Sequence, residues 1–181
     1  MDLRYKLAEL IGTVVYVGRM PIAPGTWGSL AALLTWYIVK PALSDPLFLL
    51  ITGGVFFAGI AAADILIEAW DDTDPQAVVI DEWVGMWIAL YLVPHDIKWG
   101  LVAFLFFRLF DILKPGPIQL MDDMEDAIGV MMDDVVAGIL ACLVTQSLLY
   151  FNLCTLSSCL LAMSYFQEIP LIQTQPGLAE K

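Results

Sequence analysis

The chain repeatedly sets ionisable side chains inside runs that otherwise read as core or membrane. Asp81 and Glu82 lie between Val78-Val79-Ile80 and Trp83-Val84-Gly85-Met86-Trp87-Ile88. Arg108, Asp111 and Lys114 fall within Phe106–Pro115, and Asp133 and Asp134 within Val130–Val136. A lone charge in a low-dielectric setting costs several kcal/mol, so such groups persist only when paired, bound to a metal or facing water. Three such insertions in 181 residues point to one polar site that all three segments share.

The surroundings sharpen that constraint. Hydrophobic residues form 60% of the chain and charged residues 15%. Mean hydropathy is +0.78, outside the range of ordinary soluble domains. The apolar segments are helix-length, and helices satisfy their own backbone groups within lipid. The expectation is an all-α fold: a multi-helical integral membrane domain with several transmembrane or membrane-embedded helices, six or seven helices in all, and no sheet. Residues 1–151 read as the domain, and residues 152–181 as an apolar C-terminal segment and tail rather than a separate domain.

Along the chain, Leu3, Leu7, Leu10, Ile11, Val14 and Val15 recur at helical spacing and predict an amphipathic helix ending before Gly18. Met1–Glu9 mixes both charge signs with no cleavage site after it, so no signal peptide is expected. Thr26 reads as an N-cap, with Trp27–Val39 as the helix and Pro41 as its stop. Leu47–Ala63 carries no charge and continues to Ile67, long enough to cross a bilayer core. Ala77–Val93 opens like a strand at Val78-Val79-Ile80, but its length predicts a helix.

Trp99–Leu113 predicts another helix, stopped by Pro115-Gly116-Pro117, and Met121–Asp126 an acidic linker. Val135–Phe166 runs thirty-two residues without a formal charge. As a helix that is about 48 Å, too long for one span, so a break is expected near Asn152. Ile169–Lys181, with Pro170 and Pro176, reads as a loose tail.

The net charge of −12 excludes a nucleic-acid partner, because eight scattered Lys and Arg form no basic patch. Thirteen of the twenty acids lie between Asp71 and Asp134. Asp71, Asp72, Asp122, Asp123, Glu125 and Asp126 fit a solvated acidic loop surface. The acids inside apolar runs fit a carboxylate site for a hard divalent cation. Cys142, Cys154 and Cys159 match no zinc spacing and read as buried thiols, and the single His95 reads as a loop residue.

Asp81-Glu82 and Asp133-Asp134 are adjacent acid pairs. Neighbours on a helix point about 100° apart, so one member of each pair can face a site while the other flanks it. Packed together, the four would supply the oxygen ligands of Mg²⁺, with Asp111 beside them. Arg108, Asp111 and Lys114 recur every three residues and can line one side of a cavity. Arg108 and Lys114 suit a phosphate or an anionic lipid headgroup. An internal Arg108–Asp111 ion pair with Lys114 reaching the interface would give the same spacing. Pro24-Gly25-Thr26-Trp27-Gly28-Ser29 sets a Gly-rich turn before a helix, where backbone N–H groups and the Thr26 and Ser29 hydroxyls can seat a phosphate. A capped helix with close packing would begin the same way.

Four blocks, in order, resemble the signatures of the phosphatidylglycerophosphatase A family: Pro21–Ser29, Val79–Trp87, Phe107–Ile118 and Gly129–Gly138. The likeness runs from about Gly12 to Tyr150. It departs at Glu125-Asp126-Ala127-Ile128-Gly129, where the family commonly shows a pair of glycines and a slightly longer linker. The resemblance implies an Mg²⁺-dependent, membrane-bound phosphomonoesterase of bacterial phospholipid synthesis. It would remove the terminal phosphate of the lipid phosphatidylglycerophosphate to give phosphatidylglycerol.

The catalytic candidates are then Asp81, Glu82, Asp111, Arg108 and Lys114, and the metal ligands Asp81, Glu82, Asp133 and Asp134. The substrate-binding set is Gly25, Thr26, Gly28, Ser29, Arg108 and Lys114. Arg4, Lys6 and Arg19 before the first apolar helix, with Lys114 near the acidic linker, place the N-terminus and the site on the cytoplasmic side of the bacterial inner membrane. Two rivals share the membrane carboxylates: a phosphotransferase acting on another lipid headgroup, and a divalent-cation transporter. The first lacks its long Asp/Gly/Ala/Arg signature here, and the second has little use for Arg108 and Lys114. No Cys precedes an Arg by six residues, one His cannot form a phosphohistidine pair, and Asp72-Thr73-Asp74 lacks a preceding apolar strand.

Overall fold

Among the described residues, the helix-length apolar pattern resolves into seven α-helices and two short 3₁₀ turns, with no strand. The structure is a computed structural model that describes residues 2–122 and 126–167. The acids Asp123 and Glu125 and the tail Ile169–Lys181 lie outside those residues, as do the side chains of Asp122, Cys154 and Cys159. The helices are α1 (Leu3–Gly12), α2 (Pro24–Val39), α3 (Asp45–Trp70), α4 (Ile80–Ala89), α5 (Ile97–Leu113), α6 (Pro117–Asp122) and α7 (Ala127–Gln167). The chain divides into two compact units, residues 1–146 and 147–181. In the second, the backbone from Ser147 to Gln167 is helical.

Several boundaries differ from the sequence pattern, each for a local reason. α1 stops at Gly12, and Val14, Val15 and Tyr16 follow at φ of 48°, 54° and 66°. Left-handed backbone costs roughly 1–2 kcal/mol per residue away from glycine. Here it is held by the Val15 N–H on the Leu10 carbonyl (2.8 Å), the Gly18 N–H on the Thr13 carbonyl (2.9 Å) and the Tyr16 N–H on the Thr13 hydroxyl (3.0 Å). α2 begins at Pro24 after a left-handed Ala23, so Thr26 lies inside the first turn and is not the cap. Proline's fixed φ and missing N–H suit that first position.

α4 has ten residues and ends at Ala89, three residues before a left-handed Leu92 at φ 60°, so it is too short to cross a bilayer. Its strand-like approach is neither strand nor helix: the Val78 N–H closes a turn on the Pro75 carbonyl at 2.8 Å, and the Val79 N–H meets the Gly12 carbonyl at 2.9 Å. α7 runs through Asn152 without the expected break. Residues 139–167 contain neither Gly nor Pro, and one Asn is a weak helix breaker.

Among the described residues, two helices are long and apolar enough to cross a membrane: Asp45–Trp70 and the Ala127–Asn152 part of α7, each with an apolar window of mean hydropathy 2.1. Only 28% of the apolar window in α3 is buried, and Leu50 and Phe57 are exposed on it. That outward apolar face suits lipid better than water.

α4 sits at the centre of the first unit. Met86, Trp87 and Leu90 pack with Trp36, Phe48 and Phe107, while Ile80 and Val84 pack with Ala63, Leu66 and Met131. The Trp87 Nε1–H donates to the Ala32 carbonyl at 3.1 Å. Against α7 the backbones touch: a Cβ on Gly138 would overlap the Gly85 carbonyl, and one on Gly85 would meet the Asp134 carbonyl at 2.5 Å. Asp81 precedes Gly85 by four residues, and Asp134 precedes Gly138 by four. One helical turn is 3.6 residues, so this glycine crossing brings the two carboxylates to the same level.

Candidate active site

A cavity of about 430 Å³ collects the charged insertions of all three apolar runs. Asp81, Glu82, Arg108, Asp111, Lys114, Asp133 and Asp134 all line it, together with Gly25 from the start of α2. Asp81 and Glu82 occupy the first turn of α4, where the helix N-terminus favours negative charge. Asp81, Asp133 and Asp134 are 8%, 8% and 3% exposed, burial that demands a partner for each charge.

The partners divide the acids into two groups. Asp133 accepts from Lys114 Nζ at 2.9 Å, and Asp111 pairs with Arg108 at 2.5 Å. Asp81, Glu82 and Asp134 form the other group, each offering an oxygen within 4.8 Å of the others. Glu82 Oε2 and Asp134 Oδ1 are buried with no hydrogen-bond partner. Burial pushes the Asp81 carboxyl well above its ordinary value, and the Glu82 charge adds to it. Burial likewise pushes Glu82 up to about 8, although its hydrogen bond to Asp81 opposes the rise.

Three converging carboxylates with unpartnered oxygens fit a metal ion, which would supply the missing positive charge. The all-oxygen donor set suits a hard cation. Of the four acids expected to bind metal, the structure thus brings three together and gives Asp133 to Lys114.

Each acid pair repeats one local device. The Asp81 Oδ1 accepts from the Glu82 N–H and the Asp133 Oδ1 from the Asp134 N–H, both at 2.8 Å. The first acid is thereby anchored to the backbone.

The Gly-rich segment contributes unevenly. Gly25 borders the cavity so closely that a Cβ there would overlap the Glu82 carboxylate, and it would lie 3.4 Å from Arg108 Nη1. Ser29 is fully buried: its hydroxyl donates to the Gly25 carbonyl at 2.8 Å and accepts from Arg108 Nη1 at 3.3 Å. It orients the guanidinium from behind. Gly28 packs against Val79, and Thr26 does not line the cavity.

Asp74, Gln76, Val78 and Ile112 also line the cavity, and the sequence pattern does not mark them as site residues. Asp74 carries a signal only as part of the acidic loop, and Gln76 carries none. His95 lies elsewhere, stacked on Tyr37 with centroids 4.4 Å apart and Nε2 2.7 Å from the Tyr37 carbonyl. Cys142 is a half-buried thiol, its Sγ 3.5 Å from the Tyr91 carbonyl.

Two bilayer-length apolar helices, and a cavity that joins a buried carboxylate triad able to hold a metal ion to an arginine and a lysine, define a class: an all-α, membrane-associated domain with a charged site. The profile of the Phosphatidylglycerophosphatase A family matches residues 10–149. The chain belongs to that family.

It is 39% identical to the Haemophilus influenzae protein named phosphatidylglycerophosphatase A, over 75% of this chain and 85% of that one. The Escherichia coli protein of the same name is 36% identical over 74% of this chain and 76% of its own length. A Bacteroides thetaiotaomicron protein, provisionally named a phosphatidylinositol-3-phosphatase, is 42% identical over 74% of this chain and 87% of its own. No solved structure matches the chain.

Proposed function

We propose that this protein removes the terminal phosphate of phosphatidylglycerophosphate, releasing inorganic phosphate and phosphatidylglycerol in phospholipid biosynthesis. The observation that carries the reading is the cavity in which the Asp81, Glu82 and Asp134 carboxylates lie with Arg108 and Lys114. Mg²⁺ is the cofactor we assign; held by Asp81, Glu82 and Asp134, it would supply Lewis-acid charge at the phosphate.

Arg108, braced by Asp111 and Ser29, presents its guanidinium to the equatorial oxygens of the transferring phosphoryl group. Lys114 adds a second positive charge, and Asp133 sets its direction. The Gly25 backbone leaves room for the phosphate beside Glu82. One carboxylate of the site orients the attacking water in line with the departing glycerol oxygen, which takes up a proton as it leaves.

The membrane reading is supported by the exposed apolar face of α3 and the length of the apolar part of α7. A cytoplasmic site in a bacterial inner membrane is supported by Arg4, Lys6 and Arg19 ahead of α3. Two cations on the cavity wall oppose passage of a divalent cation and so count against transport.

The name of the Bacteroides relative favours a second substrate, phosphatidylinositol 3-phosphate. Phosphate release by detergent-solubilised protein, measured on both lipids with Mg²⁺ and with EDTA, decides between them. We expect EDTA-sensitive release that is faster from phosphatidylglycerophosphate. Faster release from the inositol lipid would overturn the substrate, and full activity in EDTA would overturn the metal.

A further inference from the structure

Beside the acidic cavity lies a second one of about 470 Å³, and the two share Pro24 and Gln76 in their walls. Among the described residues lining it, Arg19 alone is charged. Arg19 pairs with the buried Glu9, yet its own side chain is 52% exposed. A guanidinium carries five N–H donors, so one carboxylate leaves donors for a second anion.

The backbone holds Arg19 there against strain. The three left-handed residues Val14, Val15 and Tyr16 lead into the turn Val17–Arg19. Gly18 lies so close to the Ala77 carbonyl that a Cβ would overlap it, which pins this turn beside Gln76. Such backbone persists only where its surroundings over-determine it, and it gathers at ligand clamps.

We propose that Arg19 and its cavity bind the phosphodiester group of the lipid headgroup while the terminal phosphomonoester sits at Arg108 and Lys114. Arg19 is then a specificity-determining residue; this rests on the substrate assigned above. The two phosphates of that headgroup are joined by a glycerol bridge, so they need adjacent subsites rather than one. Gln76, on the shared wall, offers an amide to the hydroxyl of that bridge. A phosphomonoester without a neighbouring diester leaves Arg19 without a ligand.

The test uses two inhibitors of phosphatidylglycerophosphate hydrolysis by the full-length protein. Dihexanoyl phosphatidylglycerol carries the diester alone, whereas inorganic phosphate occupies the monoester position. Arg19→Gln would strand the buried Glu9, so the Glu9→Gln, Arg19→Gln double variant is measured beside Arg19→Lys, with circular dichroism and thermal unfolding to verify folding.

We expect the inhibition constant for dihexanoyl phosphatidylglycerol to rise about 10- to 100-fold in the double variant, the range for a lost charge-assisted contact. The constant for inorganic phosphate should shift less than about twofold, as for an independent site, and Arg19→Lys should recover part of the loss. A folded double variant inhibited by the diester as strongly as the wild type would overturn the subsite and leave the activity standing. Equal weakening of both inhibitors would also overturn it, since that marks a general distortion. A wild-type protein inert towards phosphatidylglycerophosphate would remove the substrate assignment and the subsite with it.

Discussion

The acids on α4 and the cations at the end of α5 line one cavity in opposite electrostatic states. On α5, Arg108 is matched by Asp111 and Lys114 by Asp133, so that side is close to neutral within the protein itself. On α4, Asp81 and Glu82 meet another acid, Asp134, and two oxygens of the group have no partner. One side is complete as folded; the other needs a proton or a cation. Stability and chemistry therefore pull apart on α4 and run together on α5. A buried charge without a partner destabilises the fold, whereas breaking a buried pair costs about 3–5 kcal/mol.

The sharpest way to break this contrast is the Asp81→Asn, Glu82→Gln double variant. We expect at least ~10³-fold loss of turnover, as for losing a metal that stabilises transition-state charge. In EDTA its melting temperature should equal or exceed that of the wild type, because two buried acids are gone. Wild-type-like hydrolysis by this variant would end the metal assignment.

On the other side, Lys114→Ala should lower turnover by about 10²–10³, the range for one transition-state donor. It should also lower the melting temperature, since Asp133 loses its cation. Activity and stability then fall together, unlike the α4 variant. Gly25→Ala should come next, at roughly tenfold in rate, because the added methyl displaces the Glu82 carboxylate without removing any charged group. Melting in EDTA should barely change, and a rate equal to wild type would show that Glu82 can move without consequence.

The smallest effect is a pH slope. The Glu82 carboxyl rises from 4.5 to about 8 in the metal-free fold. Between those values the native protein holds a proton that the unfolded chain releases, so metal-free stability should fall as pH rises from about 4.5 to 8. Glu82→Gln should flatten that slope, and so should saturating Mg²⁺, which favours the ionised carboxylate. Thermal melts across this range, in EDTA and in Mg²⁺, provide the measurement. A rising slope in EDTA would contradict the buried, unpartnered state of Glu82.

How much of the molecule is legible in its sequence follows from which forces act locally. Charges in apolar runs must find one another, so the sequence alone groups Asp81, Glu82, Arg108, Asp111, Lys114, Asp133 and Asp134, and all line the cavity. The helix-length apolar segments likewise mark an all-α fold. Their ends are less legible. α1 yields to a left-handed run whose N–H groups meet the Ile11 and Leu10 carbonyls and the Thr13 hydroxyl, α2 starts at a proline rather than a hydroxyl cap, and α7 passes Asn152 unbroken.

Which charge meets which was decided by tertiary structure. Asp133 and Asp134 are neighbours in the chain, yet one meets Lys114 and the other meets Asp81 and Glu82. Their chemistry is identical, and only the helix's rotation against its neighbours separates them. That rotation is set by the Gly85–Gly138 crossing, where two backbones approach because neither carries a Cβ. Ser29 reads in the sequence as a ligand to phosphate and instead supports Arg108 from the buried side. Composition and spacing determined that a polar site must exist inside an apolar helical protein, because isolated buried charge is costly. Packing determined which oxygens face one another and which face a cation, because orientation depends on contacts between residues far apart in the chain.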